Sequence, residues 1–307
     1  MQRFILYVAL FLFASTAANA QEFVPLYPEG KMPNSKGMKL KEEIREERIY
    51  QVGTPGFHAF LPPEKQNTGV AILVIPGGGY LRIAHIGART SVANYFNSLG
   101  IAVFALDYRL PTSPDLVQKE LGPLQDAQRA LRLIRQNAER WKIDPQKIGV
   151  MGSSAGGHAA SFIGTTTDEI VKLGDDSDKI SAVPNFMILA APVITMGEYA
   201  HAGSKKYLLG ENPTKELIEK YSTERLVTAK TPAAFIYLAT DDATVSPKNS
   251  LMFYSAMLDK KASATLHIYP SGGHAMSMKN GTGSASELAK LCELWLREIK
   301  MLPEIKK

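Results

Sequence analysis

The sequence predicts an α/β fold, a mostly parallel central sheet with helices on both faces and a small cap over one end. Apolar runs such as residues 70–75 (VAILVI) alternate with helix-length segments, the pattern of strands buried on both faces. A second run, residues 148–151, leads into Gly152-Ser153-Ser154-Ala155-Gly156, a G-x-S-x-G match that opens an Ala/Gly-rich helical segment. The first run ends in a glycine cluster, Pro76-Gly77-Gly78-Gly79-Tyr80, so two strand ends carry backbone suited to chemistry at the carboxyl edge of the sheet.

The elements follow in order. Residues 21–40, rich in proline and glycine, read as an extended lead-in. The charged segment 44–52 reads as an edge strand, with 57–61 as its hairpin partner ended by Pro62-Pro63. Segment 88–99 has a helix pattern and 101–106 is a buried strand. Residues 123–141 form a long amphipathic helix with proline at its start. Strands are expected at 148–151, 185–191, 234–239 and 265–269, and helices from Ala155, at 250–258 and at 286–300. The longest stretch without a clear strand, 195–231, is the natural place for a cap-like insertion within a single domain spanning 21–307.

Residues 1–20 stand apart from that domain. Arg3 precedes an apolar run at 4–14, and Ala18-Asn19-Ala20 is an A-x-A cleavage pattern, so a signal peptide is expected with the mature chain starting at Gln21 and exported to the periplasm or the medium. The run is too short for a membrane span, so no stable membrane insertion is expected after cleavage. The chain has 307 residues, 45% hydrophobic and 21% charged, enough for a sizeable core. Its net charge of +5 is scattered apart from a basic tail, Ile305-Lys306-Lys307, and no basic stripe with interleaved aromatics marks a nucleic-acid partner. The single cysteine, Cys292, cannot pair within the chain and sits in an apolar helical pattern, as a small core residue does. No Cys/His cluster has zinc spacing and no phosphate-binding motif is present, so neither metal nor cofactor is expected.

The chemistry centres on Ser154. The G-x-S-x-G glycines leave room for a strained strand-to-helix turn that presents the Ser154 hydroxyl at the sheet edge, whereas Ser153 has no glycine two residues on. A serine nucleophile needs a base, an orienting acid and oxyanion donors. Of the later histidines, His158 lies on the elbow helix and reads as structural, His201 falls in the cap and His267 inside the last strand. His274 follows that strand in a Pro270-Ser271-Gly272-Gly273 loop, the position of a base. Asp241 and Asp242 both close the strand at 234–239; Asp242 is preferred as the acid, with Asp241 satisfying loop backbone groups. The oxyanion hole is expected from the amides of Gly78 or Gly79, with Tyr80 as a further candidate, together with Ala155. Arg109 and Asp126 read as a buried structural ion pair.

Together Pro76–Tyr80, Asn97-Ser98-Leu99-Gly100-Ile101, Asp107-Tyr108-Arg109-Leu110 and Gly152–His158 resemble the bacterial α/β-hydrolase esterases related to hormone-sensitive lipase. Pro25–Gly30, the segment 204–210 and the segment 269–274 add a resemblance to the exported acetyl-xylan-esterase-like branch. Pro76 departs from the histidine many members carry there. The resemblance implies an α/β-hydrolase fold and a serine esterase that removes acetyl groups from plant polysaccharides or their oligomers. A general short-chain carboxylesterase or lipase, or a peptidase of the same fold, is the alternative, because fold does not fix substrate. The polar cap segment, with His201, Ser204, Lys205, Lys206, Glu211 and Asn212, favours a sugar over a long acyl chain. A binding module with a dead site is disfavoured by the complete serine, acid and histidine set.

Overall fold

The computed structural model describes residues 22–84, 86–274, 276, 278 and 283–304. The expected signal peptide, its cleavage site and the basic tail lie outside the described residues. In chain order the strands and α-helices are β1 (Glu22–Pro25), β2 (Glu43–Arg45), β3 (Arg48–Gln51), β4 (Gly56–Phe60), β5 (Ala71–Ile75), α1 (Ile86–Ser98), β6 (Ala102–Asp107), α2 (Gly122–Gln136), β7 (Ile148–Ser153), α3 (Ala155–Thr165), β8 (Phe186–Ala190), α4 (Ala202–Leu209), α5 (Lys215–Lys220), β9 (Ala233–Ala239), α6 (Lys248–Asp259), β10 (Ala264–Tyr269) and α7 (Leu288–Glu298).

The main sheet has 8 strands in the order β1-β4-β6-β5-β7-β8-β9-β10. Pairing is parallel from β6 through β10 and antiparallel only at the β1–β4–β6 edge. Alternate side chains of β5 enter opposite cores, Ala71, Leu73 and Ile75 on one face and Ile72 and Val74 on the other. The first core is closed by α2, α3 and α6 through Leu124, Leu131, Phe162 and Phe253. The second is closed by α1 and α7 through Phe96, Leu288, Cys292 and Trp295. Each such fully buried aliphatic or aromatic side chain contributes roughly 1.5–3 kcal/mol relative to exposure, which is why the central strands read as unbroken apolar runs. Among the described residues no helix is long and apolar enough to cross a membrane.

Three expectations are corrected. Segment 44–52 is not an edge strand of the main sheet: β2 and β3 form a separate two-stranded sheet that turns at Glu46 and Glu47, both at positive φ. Its expected partner, 57–61, is instead β4, paired with β1 and β6. The lead-in holds a strand, β1, because Glu22–Pro25 supplies an edge for β4. The helix expected to reach Trp141 stops at Gln136, with Asn137 at its C-cap; Trp141 stays in the core through Phe57 and Phe104 rings at 5.8 and 4.7 Å.

Candidate active site

Ser154 joins β7 to α3 at φ 53°, ψ −123°, backbone that a residue with a Cβ adopts only under strain of about 1–3 kcal/mol. Neighbours hold it there. The Ser154 amide donates to the Ala190 carbonyl at 3.1 Å, and its own carbonyl accepts from Val193 at 2.9 Å. A Cβ at Gly152 would collide with the Gly156 carbonyl, and one at Gly156 with the Ile75 carbonyl, so both flanking glycines are required by close backbone approach. The Ser154 side chain lies in a cleft of about 550 Å³ shared with Gly78, Gly79, His201 and His274. A second hollow, about 650 Å³ beside Tyr27 and Leu40, holds none of the expected site residues.

The two aspartates after β9 have separate partners. One Asp242 oxygen, Oδ1, accepts from the amides of Thr244 and Val245 at 2.8 and 2.9 Å, and the other, Oδ2, lies 2.7 Å from His274 Nδ1. The Asp242 side chain is 1% exposed and His274 24%, so a buried acid orients a ring that opens on the cleft. Asp241 accepts the amides of Gly273 and Gly272 at 2.8 and 3.4 Å, anchoring the loop that carries His274.

The glycine cluster after β5 forms a tight turn in which Leu81 and Arg82 donate to the Gly78 carbonyl and Ala84 to that of Gly77. Gly78 and Gly79 have φ of 132° and 66°. A Cβ at Gly78 would collide with the Arg82 carbonyl. Among the described residues the amides of Gly78, Gly79 and Ala155 donate to no protein group. The turn is braced from three directions. Tyr108 donates its hydroxyl to the Pro76 carbonyl at 2.9 Å. Tyr80 turns its ring inward and donates to His158 Nδ1 at 2.7 Å, which leaves His158 Nε2–H for the Tyr221 carbonyl at 2.7 Å. The hairpin bridges through Ile49 and Ile83, whose amides and carbonyls exchange bonds of 3.1 and 2.8 Å. Burial pushes the His158 ring down to about 4 and keeps it neutral as a structural link.

Arg109 and Asp126 form the expected buried pair, with contacts of 2.7–3.1 Å that include the Arg109 amide. Tyr27 donates to the same carboxylate at 2.8 Å and Arg109 reaches the Pro33 carbonyl at 2.6 Å, so the pair also ties the lead-in to α2. His267 lies within β10, away from the cleft lining. Sequence reasoning placed His201 in the polar segment 195–231 and missed the other cleft walls. Arg48 and Arg82 flank the Ile49–Ile83 bridge on the cleft side, and His201 and Tyr207 enter from the α4 side. Only the bridge could have revealed the arginines, and it pairs segments far apart in sequence.

A BD-FAE family model matches residues 58–257. The chain belongs to the BD-FAE family. Among curated relatives of this BD-FAE chain, endo-1,4-beta-xylanase B of Butyrivibrio fibrisolvens is 32% identical over 89% of this chain and 44% of its own. An acetylxylan esterase of Xylanibacter ruminicola is 35% identical over 78% of this chain and 47% of its own. The chain thus spans about half the length of these curated relatives. Among solved structures, an acetyl ester-xyloside bifunctional hydrolase from Caldicellulosiruptor lactoaceticus superposes with a TM-score of 0.79 at 34% identity, over 92% of this chain and 97% of that one. A carboxylesterase from Lactobacillus plantarum shares the fold, with a TM-score of 0.67 at 22% identity over 87% of this chain and all of that one. The BD-FAE chain is an α/β-hydrolase by its sheet and by these neighbours.

Proposed function

We propose that this protein is an exported serine esterase that removes acetyl groups from xylan or related saccharides through an acyl-enzyme on Ser154. The observation that carries the reading is the Asp242–His274 contact of 2.7 Å in the same cleft as the positive-φ Ser154. With Nδ1–H donated to Asp242, His274 is held in the tautomer whose Nε2 accepts the Ser154 proton. Ser154 Oγ then bonds to the ester carbonyl carbon. The negative charge on the carbonyl oxygen is stabilised by the unengaged amides of Gly78 or Gly79 and Ala155. Collapse expels the sugar alcohol, protonated by His274, and leaves acetyl-Ser154. Water, deprotonated by the same ring, releases acetate.

The 34% identity to an acetyl ester-xyloside hydrolase and the 35% identity to an acetylxylan esterase support the acetylated saccharide as substrate. The A-x-A pattern supports export. The cap, taken as the insertion around residues 195–231, supplies the polar side of the cleft through His201 and Tyr207. The test is acetate release from acetylated xylo-oligosaccharides, beside a p-nitrophenyl ester series from acetyl to octanoyl. Ser154→Ala should lose turnover by several orders of magnitude at an unchanged melting temperature, and acetyl esters should have the highest kcat/KM. Long-chain preference with no acetate released from sugar would make it a general carboxylesterase or lipase. A Ser154→Ala variant that keeps most of its turnover would overturn the mechanism.

A further inference from the structure

His201 caps α4 in an unusual way. A helix N-cap calls for a short oxygen-bearing side chain that takes the amide three residues on. Here an imidazole does it: His201 Nδ1 accepts the Ser204 amide at 3.1 Å and lies 2.8 Å from the Ser204 hydroxyl. Ser204 is fully buried, and its hydroxyl has this ring as its only acceptor among the described residues. With two donors directed at Nδ1, that nitrogen carries no proton, so the neutral ring holds its hydrogen on Nε2. Burial, and after it the nearby His274, hold the His201 pKa below the usual histidine value, which keeps the ring in this neutral form.

The ring's far edge is in the catalytic cleft. His201 lines it together with Ser154 and His274, and its Cε1 stands against Gly79, 3.6 Å from where a Cβ would be. Gly203 and Tyr207 of the same helix line the cleft beside it. Among the described residues His201 Nε2 has no hydrogen-bond partner, although the ring is half-buried. A donor fixed in tautomer by one helix end, on a ring that lines the cleft of Ser154 and His274, can meet an acceptor on a ligand bound there.

The geometry points to His201 as a positioning residue, its Nε2–H donating to a hydroxyl or ring oxygen of the sugar whose ester is presented to Ser154. The inference rests on the esterase reading and extends it to the alcohol side of the ester. A cap alone could be filled by asparagine, which keeps an oxygen for the Ser204 amide but is too short to reach the cleft. A saccharide carries hydroxyl and ring oxygens next to its ester, whereas p-nitrophenol carries only its phenolic oxygen and a nitro group across a flat ring.

The experiment compares the wild type with His201→Asn and His201→Phe on acetylated xylo-oligosaccharides and on p-nitrophenyl acetate, with melting temperatures measured for all. For His201→Asn, which retains the cap, kcat/KM on the saccharide should fall about 10- to 100-fold, chiefly through KM. That loss should exceed the loss on p-nitrophenyl acetate by at least about tenfold. His201→Phe should show the same substrate difference with an added drop in melting temperature. Equal losses on the two substrates, or none for His201→Asn at wild-type stability, would overturn this role and leave the esterase reading standing. A wild-type protein that cleaves p-nitrophenyl acetate and no acetylated sugar would remove the saccharide reading and this inference with it.

Discussion

Two adjacent carboxylates after β9 show how far a residue's role depends on which groups it meets. Asp242 faces inward, takes two amides on one oxygen and the His274 ring on the other; Asp241 faces the glycine loop and takes its amides. Sequence narrowed the candidate acid to these two, because both end a strand in a parallel sheet, and only Asp242 meets His274. Asp242→Asn should therefore lower kcat on p-nitrophenyl acetate by roughly 10³- to 10⁴-fold, because the new amide's oxygen would take the Thr244 and Val245 amides and its NH2 would face His274 Nδ1, a donor that forces the wrong tautomer. Asp241→Asn, which keeps an oxygen for the loop amides, should cost less than about tenfold, the order of one weakened neutral bond. Comparable losses at the two positions would reassign the acid. Ser154 and His274 were legible for the same reason as the aspartates: strand ends and glycine context fix them locally. His201 was legible only as a polar member of the segment 195–231, since nothing in that segment says that its ring stands against Gly79.

At the scale of elements, legibility tracked burial. The parallel strands β5 to β9 are buried on both faces and announce themselves as apolar runs. The β2–β3 hairpin did not, because its turn uses Glu46 and Glu47 in the left-handed region in place of glycine or asparagine, and its anchor is the remote bridge from Ile49 to Ile83. The β1–β4 edge was hidden likewise, since a strand of four residues within a proline-rich lead-in has no period to read. The Arg109–Asp126 pair binds such weakly signalled parts to strong ones: α2 holds the carboxylate, the segment after β6 the guanidinium, and the lead-in adds Tyr27 and Pro33. Asp126→Ala would leave a 3%-exposed guanidinium without its counter-ion. The expected loss is about 3–5 kcal/mol in denaturant unfolding, with activity falling only as the folded fraction falls. A variant of wild-type stability that has lost its activity would instead put Asp126 in the chemistry.

Across the whole molecule, the fully buried His158 joins the elbow helix to the Tyr80 turn and to Tyr221 beyond α5, so one ring links parts of three segments. Its protonation would break the acceptor role of Nδ1 and place a charge in the core. In the folded protein the ring stays neutral down to about pH 4, whereas in the unfolded chain it takes up a proton near 6.5. Between those values the unfolded state binds more protons, so stability must fall as the pH is lowered. The contribution is fully present above pH 6.5, is lost progressively down to about pH 4, and changes no further below that. The difference converts to roughly 3 kcal/mol. His201 and His267, whose pKa values burial also lowers, add to the same slope. Asp175, held at about 2 chiefly by its Arg129 hydrogen bond, acts in a separate and more acidic window, below the ordinary carboxylate value. His158→Gln would cost stability at every pH by breaking two buried bonds, so the informative quantity is the slope and not the offset. Denaturant unfolding at intervals from pH 7.5 to 4 should give a stability curve that descends more steeply for the wild type than for His158→Gln. Parallel curves would mean that His158 protonates at the same pH folded and unfolded, and that the link between α3, the Tyr80 turn and Tyr221 does not depend on a neutral ring.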